Sequence, residues 1–158
     1  MTNAAPPTPL RFVPVPEEIA ERARRTMKDA FGHSLHVQRE HGPCRICLRI
    51  ASEEEPEDFI LLSYQPLADR NPYAEIGPIF VHARPCTPYD ADAYPEAFLS
   101  RTVVVRAYDK EGAIFDATIA GPGEAEGAAA TFLMNPTVEE VHVRAQTYTC
   151  YDFKIIRR

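Results

Sequence analysis

The sequence predicts an α+β fold, with a mixed, mainly antiparallel sheet and two main helices packed on one face. About eight segments alternate between apolar and polar residues or form short apolar runs, as strands do. Two other segments favour helices, and turn residues separate most of the elements. The length of 158 residues is that of one ordinary domain. We therefore expect a single α+β domain at residues 10–158, after a disordered leader at residues 1–9 that is rich in proline and small residues.

The first elements are predicted to be a short strand and a helix. Residues 10–13 alternate like a strand, and Pro14 and Pro16 end it. Residues 17–31 repeat apolar side chains at helical spacing, with acidic residues first and basic residues last, which suits the helix dipole. Gly32 can supply the left-handed residue that ends a helix. We therefore expect a helix over residues 17–31.

The middle of the chain has strand character interrupted by two loops. Residues 44–50 alternate between apolar residues and arginine, and residues 59–64 form a nearly continuous apolar run that suits a central strand. The acidic segment 52–58 between them has the composition of a hairpin loop. Residues 66–78 form a long irregular connection, and long ordered loops inside compact domains are often functional. This connection therefore contributes candidate site residues.

The second half is predicted to contain strands and one further helix. We expect a strand at residues 79–83, helical turns at 95–100, and a hairpin formed by 102–108 and 113–120. Residues 123–134 are rich in alanine and predict the second helix, which Asn135 and Pro136 stop. Two strands, at residues 138–148 and 151–156, complete the domain.

Charge and composition exclude several classes of function. The net charge of −6 and the isoelectric point near 5.4 argue against general binding to nucleic acid or to an anionic membrane, because such binding needs clustered positive charge. No apolar run is long enough to span a membrane, and the N-terminus lacks the features of a secretory signal. We therefore expect a cytoplasmic protein whose cysteines stay reduced unless they are catalytic or bind metal.

Three of the predicted strands have one aliphatic and one polar face, because strand side chains alternate between faces. The aliphatic faces are predicted to be the core. They are formed by Ile79 with Val81, Val103 with Val105, and Val141 with Val143. The polar faces contain His82, Arg106, Tyr108, Glu140, His142 and Arg144. Either these faces are exposed to solvent, as in many antiparallel sheets, or they converge on a ligand.

Convergence would create an anion pocket with acid-base capacity. Arginine presents a planar fork of donors to a carboxylate or phosphate, and imidazole exchanges protons near neutral pH. On this hypothesis the catalytic residues are His82, His142 and Glu75. The ligand-binding residues are Arg106, Arg144, Tyr73 and Tyr108. The partner is a small anionic ligand.

The four cysteines leave three interpretations open. Cys44 and Cys47 form a C-x-x-C pair, but strand character follows it where a thioredoxin-like motif would begin a helix. A zinc site would need a second pair, either His82 with Cys86 or His142 with Cys150, and Gly42 and Pro43 can start a knuckle turn. Alternatively the cysteines are small apolar core residues. We assign no metal ligand from the sequence, and zinc or another transition metal remains an alternative cofactor.

Successive blocks of the chain resemble an uncharacterised bacterial family, domain of unknown function 1203. The blocks lie at residues 44–49, 61–64, 72–83, 106–109, 141–144 and 150–153. The likeness covers about residues 10–157, and the block at 72–83 is the most specific. The family pattern has a glycine before the last cysteine, where this chain has Thr149. The resemblance implies a bacterial single-domain protein and no particular activity.

Three hypotheses about function follow from these observations. In the first, the protein is a small cytoplasmic enzyme or ligand-binding protein that takes a small anionic molecule. In the second, cysteine and histidine hold a metal that stabilises a module with a protein partner. In the third, the chain is a homodimer joined through a sheet edge and performs no chemistry.

Overall fold

The computed structural model describes residues 7–67 and 71–158. Residues 1–6 of the predicted leader and 68–70 of the predicted long connection therefore lie outside the described residues. The helices are α1 (Glu17–Thr26) and α2 (Ala125–Leu133), and a short 3₁₀ helix covers Glu96–Phe98. The strands are β1 (Leu10–Val13), β2 (Val37–Glu40), β3 (Gly42–Pro43), β4 (Ile50–Ala51), β5 (Glu57–Tyr64), β6 (Gly77–His82), β7 (Val103–Asp109), β8 (Ile114–Ala120), β9 (Val138–Ala145) and β10 (Tyr151–Arg157).

The strands form three antiparallel sheets, and the α+β class is confirmed. A five-stranded sheet has the order β1-β10-β9-β7-β8, and a three-stranded sheet has the order β2-β5-β6. Strands β3 and β4 pair with each other in a two-stranded sheet. The central position predicted for residues 59–64 is confirmed, since β5 lies between β2 and β6. No helix in the described part of the chain is long and apolar enough to cross a membrane.

Two apolar cores correspond to the two larger sheets. Helix α2 buries Ala129 and Leu133 in the core that includes the aliphatic face of β7 and β9. Helix α1 buries Ala20 and Ala23 in the other core, with residues of β5 and β6. The predicted aliphatic faces are therefore confirmed as core. The packing of both helices on one face of one sheet is not confirmed, because each helix packs in a different core.

Helix α1 is shorter than the sequence predicts. It ends at Thr26, because Met27 takes the left-handed conformation (φ 49°) and its amide N–H donates to Ala23 O at 2.8 Å. The buried carboxylate of Asp29 then accepts the backbone N–H groups of Phe31 and His33 at 2.9 and 3.0 Å. A third bond, from Ser63 N at 3.0 Å, fastens this turn to β5. A contact distant in sequence therefore ends the helix before Gly32.

The strand predicted at residues 44–50 is wrong. Residues 44–49 form a turn between β3 and β4, and only Ile50 at the end of the predicted segment is in a strand. The acidic segment 52–58 was also expected to be a hairpin loop. It instead connects β4 to β5, which belong to different sheets, and its last two residues begin β5.

The turn at residues 44–49 contacts both the three-stranded and the five-stranded sheet. Its backbone bonds connect Arg45 N to Phe80 O of β6 at 3.0 Å, and Val15 N to Arg45 O at 3.0 Å. Tyr89 N donates to Ile46 O at 2.9 Å. The Arg45 side chain reaches the five-stranded sheet, where Nε donates to Tyr151 O at 2.9 Å. This turn therefore contacts both larger sheets.

The polar face predicted for β7 and β9 exists and is covered. The two strands are neighbours, with Arg106 directly opposite His142. His142 is 0% exposed, and its ring packs against Tyr108 and Tyr151 at centroid distances of 4.4 and 5.0 Å. Tyr64 of β5 packs against Tyr151 in turn. The polar face therefore lies between the two larger sheets and is not simply exposed to solvent.

Replacing Thr149 with glycine is expected to stabilise the domain. Thr149 is exposed and has φ 59°, the left-handed region that glycine enters without a Cβ penalty. We expect T149G to raise the free energy of unfolding by up to about 1 kcal/mol, or about 2–4 °C in Tm. Thermal unfolding measures the change. The matched control is T147G at a neighbouring exposed threonine without positive φ, and this variant is expected to lower Tm. Equal losses in both variants would contradict the prediction.

Candidate metal centre

Four potential metal ligands meet beside the turn at residues 44–49. One ligand atom from each of Cys44, Cys47, His82 and Cys86 lies within 4.8 Å of the other three. Cys44 and Cys47 come from the turn, His82 ends β6, and Cys86 lies in the irregular segment that follows β6. Three of the four residues are buried, and Cys86 is half-buried. Three chain segments therefore bring a Cys3His set to one point, which we call the Cys3His cluster.

Two distances between ligand atoms of the Cys3His cluster match the edges of a tetrahedral zinc site. Zn–S bonds of about 2.3 Å and Zn–N bonds of about 2.0–2.1 Å place tetrahedral ligands about 3.8 Å apart for two sulfurs and about 3.5 Å apart for sulfur and nitrogen. Here Cys44 Sγ lies 3.8 Å from Cys86 Sγ, and Cys47 Sγ lies 3.5 Å from His82 Nδ1. These two distances have the spacing of opposite edges in a tetrahedral site, and all four ligand atoms lie within 4.8 Å of one another.

The local backbone explains how the C-x-x-C pair points both thiols inward. Leu48 N donates to Cys44 O at 2.9 Å, and Cys44 N donates to Arg49 O at 3.0 Å, so the chain closes on itself. Leu48 completes the turn with φ 57°, a conformation that costs a residue with a Cβ about 1–2 kcal/mol. A strained residue of this kind persists when its surroundings fix it, and Leu48 is buried in the core. Within a regular strand the two thiols would point to opposite faces.

The pKa values of Cys44 and Cys47 depend mainly on the contact between their two thiols. Hydrogen bonding from the Cys47 thiol lowers the pKa of Cys44, and the backbone amides of Cys47, Ile46 and His82 act in the same direction. The same thiol contact, with burial, raises the pKa of Cys47 to about 11. Burial also raises the pKa of Cys86. A divalent cation at the centre would displace these shared protons, as it does in zinc thiolate sites.

Two arginines place positive charge beside the sulfurs. Arg24 Nη2 lies 3.9 Å from Cys86 Sγ, while its Nε donates to His82 O at 3.1 Å. A hydrogen bond with Cys47 raises the pKa of Arg49, which identifies it as the second cation. Three thiolates and one neutral imidazole around a divalent ion have a net charge of −1. The arginines therefore offset the charge that a loaded centre would carry.

His82 is oriented from both sides of its ring. Its Nδ1 faces Cys47, and its Nε2 lies 3.3 Å from Glu57 Oε1, a contact too poorly aligned to count as a hydrogen bond. The ring stacks on Phe59 with centroids 4.8 Å apart. A carboxylate beside the second nitrogen is the usual outer partner of a metal-binding histidine, because it fixes the tautomer that presents a lone pair to the metal.

The structure separates the residues of the predicted anion pocket into a group of five and two residues that lie elsewhere. Arg106 Nη1 and Arg144 Nη1 lie 3.2 and 3.4 Å from the two oxygens of Glu75. Arg106 Nη1 also donates to Tyr108 Oη at 3.3 Å, and Tyr108 packs on His142. These five predicted residues are therefore brought together, with Glu75 holding both arginines.

Two of the predicted site residues lie elsewhere. His82 belongs to the three-stranded sheet and the Cys3His cluster. Tyr73 is an exposed loop residue whose backbone N–H donates to Asn71 Oδ1. The catalytic and ligand-binding roles expected for the seven residues stay predictions.

One feature of the sequence could have identified the metal cluster, but the strand predicted at residues 44–50 argued against it. His82 and Cys86 are separated by three residues, a spacing that suits two ligands of one metal ion, and they form one of the two second pairs considered from the sequence. Arg24, Arg49 and Glu57 were missed. Arg24 and Glu57 contact the cluster from elements distant in sequence, so no local pattern marks them. Arg49 lies in the same turn as Cys47, and its contact depends on the turn conformation that the strand interpretation excluded.

His142 is expected to titrate below the ordinary range of histidine. Burial lowers its pKa, although Glu140, whose Oε1 lies 2.7 Å from Nε2, acts in the opposite direction. Since the unfolded chain then binds the proton more readily, stability falls as the pH drops below about 6.5. We expect an NMR titration to place the His142 pKa below that value, and E140Q to lower it further. A His142 pKa above 7 would contradict the prediction.

Comparisons with known proteins identify a family and no activity. The family model described as protein of unknown function (DUF1203) matches residues 41–157, which include the four residues of the Cys3His cluster. A search of the curated proteins and a search of the solved structures each found no match. The match covers well over half of the chain, and the resemblance noted in the sequence is confirmed. This protein therefore belongs to the DUF1203 family.

Proposed function

We propose that this protein is a zinc-binding domain whose Cys3His cluster holds one Zn²⁺ ion. The observation that supports it is that four ligand atoms lie within 4.8 Å of one another and that two of their distances fit a tetrahedral site. These are 3.8 Å between the sulfurs of Cys44 and Cys86 and 3.5 Å between Cys47 Sγ and His82 Nδ1. Thiolate-rich tetrahedral sites select zinc over the hard cations magnesium and calcium, which prefer oxygen ligands.

The role of the zinc ion is structural. Four protein ligands complete the tetrahedral shell, whereas a catalytic zinc keeps one position open for water or substrate. The ligands connect the turn between β3 and β4 to the end of β6 and to the segment that follows it. Zinc binding therefore adds metal–ligand bonds to the hydrogen bonds that already hold these two irregular segments against the three-stranded sheet.

The other functional hypotheses remain separate from this proposal. A protein partner for the zinc-stabilised module is a prediction, and so is a homodimer formed through a sheet edge. Acid-base chemistry at Arg106 and Arg144 is also a prediction. These two arginines already hold an internal carboxylate, that of Glu75, so an external anion would have to displace it.

Metal analysis of purified protein tests the proposal. We expect about one equivalent of zinc per chain in the wild type, because all four ligands are preorganised. C47S and H82Q each remove one ligand and are expected to lose most of the zinc under the same dialysis. C150S is the matched control, since Cys150 is the cysteine outside the cluster and this variant should retain zinc.

Stability measurements on the same preparations test the structural role. Loading a site to about one hundred times its Kd stabilises the folded state by about 2.7 kcal/mol, which corresponds to about 5–10 °C in Tm for a chain of this size. Removing the metal from the wild type should therefore lower Tm by about that amount, while metal-free C47S should be insensitive to the chelator. A wild type that binds no zinc, or a Tm unaffected by its removal, would contradict the proposal.

A further inference from the structure

A cavity lies beside β3, β5 and β6, and Arg45 of the turn at residues 44–49 forms part of its wall. Its volume is about 450 Å³, within the range of small-molecule sites. Most of its wall is apolar and comes from β3, β5 and β6. The apolar residues are Pro43, Leu61, Pro78, Ile79 and Phe80. Arg45 and Arg101 provide positive charge, and Cys150 and Tyr148 lie on the side formed by the turn before β10.

The two arginines of this cavity differ in how their donors are used. Arg45 is buried and donates to Tyr151 O at 2.9 Å and to Pro43 O at 2.8 Å, and its Nη2 lies 3.1 Å from Asp152 Oδ1. Arg101 is partly exposed, and its guanidinium carbon lies 5.8 Å from the centroid of the Phe98 ring. Its Nη1 is buried and has no hydrogen-bond partner among the residues that the structure describes. A buried donor without a partner costs free energy, and the cost is larger for a charged group. Arg101 is therefore the group in this cavity that lacks an acceptor.

Arg101 is the arginine of this cavity that makes no ion pair with any residue that the structure describes, whereas Arg45 is paired with Asp152. Arg45, Arg101 and Arg144 all act on the buried carboxylate of Asp152 and oppose the rise in its pKa that burial causes. Arg144 is paired with Glu75. The cavity wall also includes the carboxylate of Glu40, which is partly exposed to solvent. The Arg101 guanidinium is therefore the charged group of this cavity that a bound anion could pair with directly.

We propose that this cavity binds a small carboxylate with an apolar body. The carboxylate would accept a charge-assisted hydrogen bond from the exposed part of the Arg101 guanidinium, and the apolar body would lie against β5 and β6. A single unpartnered guanidinium matches one negative charge, and the apolar wall excludes ligands whose charge is spread over their whole surface. The proposal uses no group of the Cys3His cluster and is independent of zinc binding.

Calorimetric titration with octanoate tests the proposal. We expect saturable binding of octanoate and at least tenfold weaker binding of octanamide, which has the same chain without the charge. R101Q should show the same loss of octanoate affinity. R11Q, at an exposed arginine of β1, is the matched control and should bind like the wild type.

Alkylation of Cys150 gives a second readout that requires no variant to fold. Cys150 is half-buried and lines the cavity, so a bound ligand should shield its thiol. We expect saturating octanoate to slow the modification of the Cys150 peptide by iodoacetamide several-fold in the wild type, and octanamide to have little effect. No saturable binding of octanoate, equal binding of octanamide, or an unchanged alkylation rate would overturn the proposal.

Discussion

The structure depends on how one irregular turn, residues 44–49, is held in place. The two larger sheets share no strand, so they must be connected by contacts other than a common hydrogen-bond ladder. The turn makes backbone bonds to Val15, Phe80 and Tyr89, and it presents Cys44 and Cys47 to the Cys3His cluster. On its other side Arg45 reaches Tyr151 and Asp152 of the five-stranded sheet. A metal ion at the cluster would therefore stabilise the joint between the sheets as well as the turn.

The buried pair of Arg45 and Asp152 shows why such a joint needs further support. Burial disfavours both charges, lowering the pKa of Arg45 and raising that of Asp152, and their mutual attraction opposes both shifts. A buried ion pair of this kind contributes little net stability, although losing one partner costs about 3–5 kcal/mol. The main effect of this ion pair is to fix the orientation of the turn, and its contribution to the free energy of folding is small. The net stabilisation must come from apolar packing and, on our proposal, from zinc coordination.

Local sequence patterns predicted the features that depend on local geometry. The period of two identified the buried faces of β6, β7 and β9, and it placed Arg106 and His142 on the face opposite the aliphatic core. It did not assign His82 and His142 to different sheets, because strand order is set by contacts distant in sequence. Alternation also misassigned residues 44–50. Alternation of apolar and polar residues cannot predict that Leu48 takes a left-handed conformation. It also cannot predict that Cys47 contacts His82, which is distant in sequence.

X-ray absorption at the zinc edge of the purified wild type tests the central claim most directly, because it measures the ligands around the metal itself. The account predicts a four-coordinate centre with about three sulfurs at about 2.3 Å and one nitrogen at about 2.0–2.1 Å. A shell made of nitrogen and oxygen alone, as in zinc bound to surface histidines and carboxylates, would contradict it.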